Sequence, residues 1–512
     1  MSTHESLLTA AKPSRFSSAR SARAAAVLCA ALGAVSSASA ATFIKADNTT
    51  SLNLTGSYTT AGTPTSIDTI QIDSTLSVQR TSNLGANLSV AGLTYSATQT
   101  FQVTPTTGAA LTIGSGGITK SGGASLVFAN AVTLGANQTW SIATGTGNLQ
   151  MNGTFSDGGN MLSVTGTGTG TFDLRGNNTF GSNVTIGAAI GINGGATVTF
   201  GGANTYDVIT VSNGRVQGAT LNNFGFASNF GDGGSNTAIT LGGSASSGVF
   251  EYTGATASSN RTFNMDRRSN GNSILVSNAS STLTLSGTIA TSAGNTTVEK
   301  SVALTAGGAG NLVLSGIISD HSATAFQTSL IKTGSGSVTL TNANTFAGGV
   351  SVTQGTLLVE NTTGSGTGSG SVSVASGAAL GGNGTISGSV SFADGAKFVF
   401  STTSVLDVTG LVSFANFSIN NLVGLDNSVG FNTYTLIGGS GSISAANLAN
   451  VGSSNAFDLG LGKSAFFELT GDNLQVVVSA SAVPEPSTYA VLAGLGVLGL
   501  AVYRRRSGAS RR

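Results

Sequence analysis

Residues Thr333 to Val352 align without a gap on Thr167 to Ile186, a constant offset of 166. In each copy a Gly-rich turn, Thr333-Gly334-Ser335-Gly336 or Thr167-Gly168-Thr169-Gly170, leads into an alternating segment, Val338-Thr339-Leu340 or Phe172-Asp173-Leu174. An Asn-Thr-aromatic corner follows, Asn344-Thr345-Phe346 or Asn178-Thr179-Phe180, and then a second alternating segment, Val350-Ser351-Val352 or Val184-Thr185-Ile186. A third copy runs from Val198-Thr199-Phe200 through Asn204-Thr205-Tyr206 to Val211, one residue shorter after the tyrosine, and partial copies occupy Ile118 to Asn130, Leu283 to Ile289 and Gly308 to Ile318. A two-strand unit with such short side chains cannot close a core by itself, so the units have to stack on one another.

The alternation has the period of two that marks half-buried strands; Leu111-Thr112-Ile113, Val164, Leu283-Thr284-Leu285 and Leu312-Val313-Leu314 share it. That periodicity excludes a disordered Gly/Ser/Thr linker in spite of the 74 glycines. Small residues at the corners let successive coils approach at strand spacing, with Asn178, Asn204 and Asn344 turned inward onto backbone and Phe180, Tyr206 and Phe346 filling the space beneath. The pattern predicts an all-β parallel β-helix. At roughly 22 residues per coil it predicts on the order of 20 coils and a rod of roughly 95 Å.

The best copy, Lys332 to Leu340 with Asn344-Thr345-Phe346, Gly348-Gly349-Val350 and Gly355-Thr356-Leu357, resembles the autotransporter-associated β-strand repeat of large surface proteins. The resemblance covers about a third of the chain convincingly, and implies a right-handed parallel β-helix displayed at a surface. Autotransporters end in a membrane β-barrel, and nothing here resembles one.

The tail takes its place. Val483-Pro484-Glu485-Pro486 precedes an apolar run, Tyr489 to Tyr503, and then Arg504, Arg505 and Arg506. Proline is tolerated at a helix start and not upstream of it, so a helix is expected from about Ser487. Seventeen residues rise roughly 25 Å, a little short of a hydrocarbon core, and the arginines would snorkel at the cytoplasmic face. This arrangement closely resembles the PEP-CTERM sorting signal of Gram-negative bacteria that secrete exopolysaccharide. The resemblance implies a single transmembrane sorting helix, recognition of Pro484, Glu485 and Pro486 by exosortase, and release or re-anchoring at the cell surface or in the extracellular matrix.

At the other end Lys12, Arg15, Arg20 and Arg23 precede the apolar stretch Ala24 to Val35, and Ala38-Ser39-Ala40 supplies the small residues signal peptidase requires, with cleavage expected after Ala40. The division expected is a signal peptide at 1–40, a repeat solenoid at 41–395, a solenoid cap at 396–480 ending in the apolar strand Leu474 to Val478, and the sorting signal at 481–512. Residues 41–480 hold 12 Lys and Arg against 18 Asp and Glu, a net charge of −6 with no basic face for nucleic acid. They hold no cysteine, since Cys29 lies in the leader, so disulfides and thiolate metal sites are excluded. No cofactor is expected.

Enzymatic candidates are sparse. Asp157, Asp173, Asp207 and Asp232 read as solvated turn residues, and Asp266-Arg267-Arg268 near Arg261 reads as a charged surface loop. His321 beside Asp320 lacks a placed nucleophile, and Gly231-Asp232-Gly233-Gly234 is too short for a calcium-binding repeat array. Trp140 reads as a core or corner aromatic in preference to a sugar platform. The function expected is a non-enzymatic, exported structural or adhesive solenoid with exopolysaccharide as a candidate partner. The alternative is a carbohydrate-active β-helix enzyme.

Overall fold

A computed structural model describes residues 39–509 except 144–146, 167–170, 177–183, 187–196, 206–208, 234–237, 244–245, 267–270, 293–300, 321–326 and 482–485. Two units are distinguished, Met1–Ala41 and Thr42–Arg512. The second contains the strands.

A 15-stranded sheet runs from Arg80–Asn83 to Val412–Phe414, a 14-stranded sheet from Thr42–Ile44 to Ile318–Ser319, and an eight-stranded sheet from Ala257–Ser259 to Leu422–Val423. Their strands pair in parallel, and along each sheet the order follows the chain. That order means one coil stacked on the next, a parallel β-solenoid. Side-chain alternation decides what fills it: Leu149, Phe172, Val198, Val216, Phe250 and Ile274 occupy one register position in successive coils. All six are fully buried. The segments read as strands from their period of two, from Leu111-Thr112-Ile113 to Val350-Ser351-Val352, all lie within strands.

The coils are fewer and longer than the repeat predicts. There are about 14 turns, which at strand spacing rise about 67 Å. Register neighbours lie 18 residues apart at Val198 and Val216 but 34 apart at Val216 and Phe250, so a 22-residue coil is only one of several lengths. Between Ala257 and Ser319 each coil carries three strands, one from each of these sheets, which the two-strand unit does not encode.

Parallel pairing continues past residue 395 through Lys397–Val399, Val412–Phe414 and Leu422–Val423. The last sheet begins in parallel at Thr385–Ile386 and then turns antiparallel from Asn432–Gly438 through Asn473–Ala480 and Lys463–Thr470 to the four-residue edge Phe457–Gly460. Phe417 carries the core across this change, with its ring 4.8 Å from Phe414 and 5.9 Å from Phe467. Ending a parallel ladder in a short antiparallel edge leaves little backbone for another chain to pair with.

A 24-residue helix, Pro486–Ala509, closes the chain. Its apolar side chains Val491, Leu492, Leu495, Val497, Leu498, Leu500 and Val502 are all at least half exposed. Among the described residues no helix is long and apolar enough to cross a membrane. The described apolar side chains, Ala490 to Tyr503, rise only about 21 Å.

Candidate functional site

The repeat motif builds its site at the corners. Asn344 lies between coils: its Oδ1 accepts the Ile318 N–H at 2.8 Å and its Nδ2 donates to the Gly366 carbonyl at 2.6 Å. The residue is only 5% exposed, and Phe346 beneath it is fully buried. Asn204 repeats the arrangement, donating to the Gly201 and Asn229 carbonyls at 3.0 and 2.7 Å. Each amide satisfies backbone groups that a tight corner takes out of the sheet ladder and out of water. Asn178, Phe180 and Tyr206 lie outside the described residues.

Three lysines that the sequence reading passed over sit inside the solenoid. Lys45, Lys120 and Lys332 have no exposed surface. The Lys332 ammonium donates to the Thr333, Gly334 and Gln354 carbonyls at 2.7, 2.8 and 2.9 Å. That of Lys120 reaches the Gly122 carbonyl at 2.7 Å and lies 5.7 Å from the Tyr95 ring. Lys45 donates to the Ala46 and Asn48 carbonyls at 2.9 and 3.0 Å and to Asn48 Oδ1 at 2.9 Å. Burial pushes all three down to about 8. The signal was present in the alternation, since Ile118-Thr119-Lys120 and Leu330-Ile331-Lys332 each place the lysine on the inward face, just before a turn glycine.

The charged residues singled out from sequence are held in packed networks. Asp173 is 4% exposed and accepts from Asn148, Gln150, Thr171 and Arg175, which corrects its reading as a solvated turn residue. Asp157 is likewise buried, while Asp232 is half-buried. Arg261 is fully buried and not on a surface loop, donating to the Phe230 and Gly231 carbonyls with its guanidinium 5.1 Å from the Phe224 ring. Asp266 is buried as well. Asp207, Arg267, Arg268 and His321 lie outside the described residues. Asp320 accepts the Thr328 and Ala347 N–H groups at 2.5 and 2.9 Å, which commits both its oxygens to structure. Trp140 is fully buried, edge-on to Phe155 and Phe172, with Nε1 donating to Gln138 at 2.7 Å.

Glu251 binds Arg215, Gln217 and Ser277 across three coils, and these partners hold its carboxyl below the usual range against the opposing effect of burial. Asp173, Thr199, Gln217 and Glu251 share one ladder position. The two carboxylates are thus about 14 Å apart by strand spacing. Paired carboxylates of glycoside hydrolysis stand closer, at roughly 5 to 9.5 Å.

Of the processing residues, Ala40 is exposed, Pro486 begins the terminal helix, and Arg504, Arg505 and Arg506 are exposed within it. Ala38, Val483, Pro484 and Glu485 lie outside the described residues.

These features define a parallel β-solenoid of autotransporter-type repeats that carries a PEP-CTERM sorting tail. The Passenger-associated-transport-repeat matches residues 330–359, the copy that holds Lys332 and Asn344, and the PEP-CTERM protein-sorting motif matches residues 482–506. The chain is similar to the adhesin BmaC autotransporter of Brucella suis biovar 1, with 30% identity over 190 residues. The match takes in 36% of this chain and 5% of the length of that protein. No solved structure matches.

Proposed function

We propose that this chain is an exported β-solenoid that works at the cell surface or in the extracellular matrix as a structural or adhesive element, and that exosortase processes its tail. The reading rests chiefly on one observation: the sorting-motif match at 482–506 coincides with a helix whose described large apolar side chains are all exposed, whereas most of those of the solenoid are buried. In this reading signal peptidase cuts after Ala40, the solenoid and its cap occupy 41–395 and 396–480, and 481–512 is a transient membrane anchor. Pro484, Glu485 and Pro486 then stand at the outer boundary, and Arg504, Arg505 and Arg506 at the cytoplasmic one.

A non-enzymatic role is supported by the adhesin relative and by the separation of Asp173 from Glu251. Exopolysaccharide is the partner this setting offers. The test is a mass measurement of the mature C-terminus in an exosortase-containing host. Native protein should lose Arg504 to Arg512, while the Pro484→Ala, Pro486→Ala double variant, in which helix can propagate upstream, should accumulate at full length in the membrane. Native surface protein that still carries its arginines would show the tail to be a plain anchor.

A further inference from the structure

The 34-residue spacing between Val216 and Phe250 marks an insertion, and most of its excess lies between the strands Gly214–Gly218 and Ile239–Leu241, where residues 219–233 form a described loop. Insertions in a stacked-repeat protein emerge on one face, which is where binding tends to reside. This loop is built on a fixed base. Asn229 accepts the Ala219 and Thr220 N–H groups at 2.7 and 2.9 Å and donates to the Gly202 carbonyl at 2.6 Å, while Asn222 Nδ2 closes the tip onto the Ala227 carbonyl at 2.7 Å.

On that base Phe226 is 66% exposed, a large aromatic surface given to solvent. Beside it two exposed asparagines from successive coils lock reciprocally: Asn223 Oδ1 accepts the Asn260 N–H, and Asn260 Oδ1 accepts the Phe224 N–H, both at 2.9 Å. Each amide oxygen is thereby committed to backbone, and each Nδ2 has no acceptor among the described residues. Arg261, beneath the loop, has no exposed surface. The loop therefore offers an aromatic face and amide donors, preorganised and without an exposed cation.

We propose that Phe226 and the Nδ2 groups of Asn223 and Asn260 form a binding site for a neutral pyranose glycan. The apolar face of a sugar ring stacks on Phe226, and its hydroxyls accept from the two amides. The proposal rests on the adhesive reading for its biological setting, and its chemistry can be tested separately.

The experiment is affinity electrophoresis of the purified full chain in gels containing dextran, mannan or galactomannan, with alginate as the anionic control. At least one neutral polysaccharide should retard the native protein, with little dependence on salt. Phe226→Ala should weaken that retardation by about tenfold or more, the scale of losing one anchoring contact. The Asn223→Asp, Asn260→Asp variant keeps both oxygen acceptors and removes both donors, so it should lose retardation while its melting transition is unchanged. The site is overturned if no neutral glycan retards the native protein, if only alginate does so, or if Phe226→Ala migrates as the native chain does. Tail loss in the host without glycan retardation would overturn this site and leave the surface reading standing.

Discussion

Asn344 donates to the Gly366 carbonyl of the following coil at 2.6 Å while holding the Ile318 N–H of the preceding one at 2.8 Å. One side chain thus couples three coils, and it does so within the segment that carries the repeat signature.

Replacing Asn344 with Leu removes both bonds and leaves a donor and an acceptor stranded at a buried corner. The expected cost is about 1–3 kcal/mol for each orphaned group. It should appear as a lower denaturant midpoint of the full chain. An unchanged midpoint would mean that water reaches this corner and takes over the bonding.

The buried lysines set an alkaline dependence. Each falls from 10.5 to about 8 in the folded chain because burial disfavours the charged form. Between those values the unfolded chain binds more protons than the folded one, so stability should rise as pH increases from about 8 to about 10. Tyr95 acts in the opposite sense, since burial pushes it from 10.0 up to about 12, and stability should fall again above about pH 10 as the unfolded tyrosine ionises first. Melting temperatures across pH 7 to 12 should therefore pass through a maximum near pH 10, and Lys332→Met should flatten the rising limb.

Gly336 tests how closely the coils approach. A Cβ at this position would lie 1.9 Å from the Gly310 carbonyl oxygen of the preceding coil, a backbone atom that cannot swing aside. Gly336→Ala should therefore destabilise by about 1–3 kcal/mol, the usual cost of overpacking. Limited proteolysis should show new cleavage between residues 308 and 340. An unchanged digestion pattern would mean that the coils can separate to admit a methyl group.

Strand identity was legible because it is local: Phe172-Asp173-Leu174 and Val338-Thr339-Leu340 announce their inward faces through alternation alone. The corner role of Asn344 and Asn204 was legible from their recurrence two residues before an aromatic. Lys120 and Lys332 went unread although their positions in the alternation pointed inward, because a charged residue is ordinarily assigned to water. Arg261 and Asp173 were misplaced for the same reason. Their burial depends on groups from other coils, Phe230 for the arginine and Asn148 and Gln150 for the aspartate.

The sequence by itself determined the parallel stacking, the side of each strand that faces the core and the sorting-type tail, since period, repetition and short motifs are written in consecutive residues. Only the tertiary structure decided the number of turns, the third sheet that begins at Ala257 and the pairing of Asn223 with Asn260 across two coils. Register between coils depends on how long each loop can run before its chain rejoins the ladder. That length, from 18 residues between Val198 and Val216 to 34 between Val216 and Phe250, is set by contacts between distant residues.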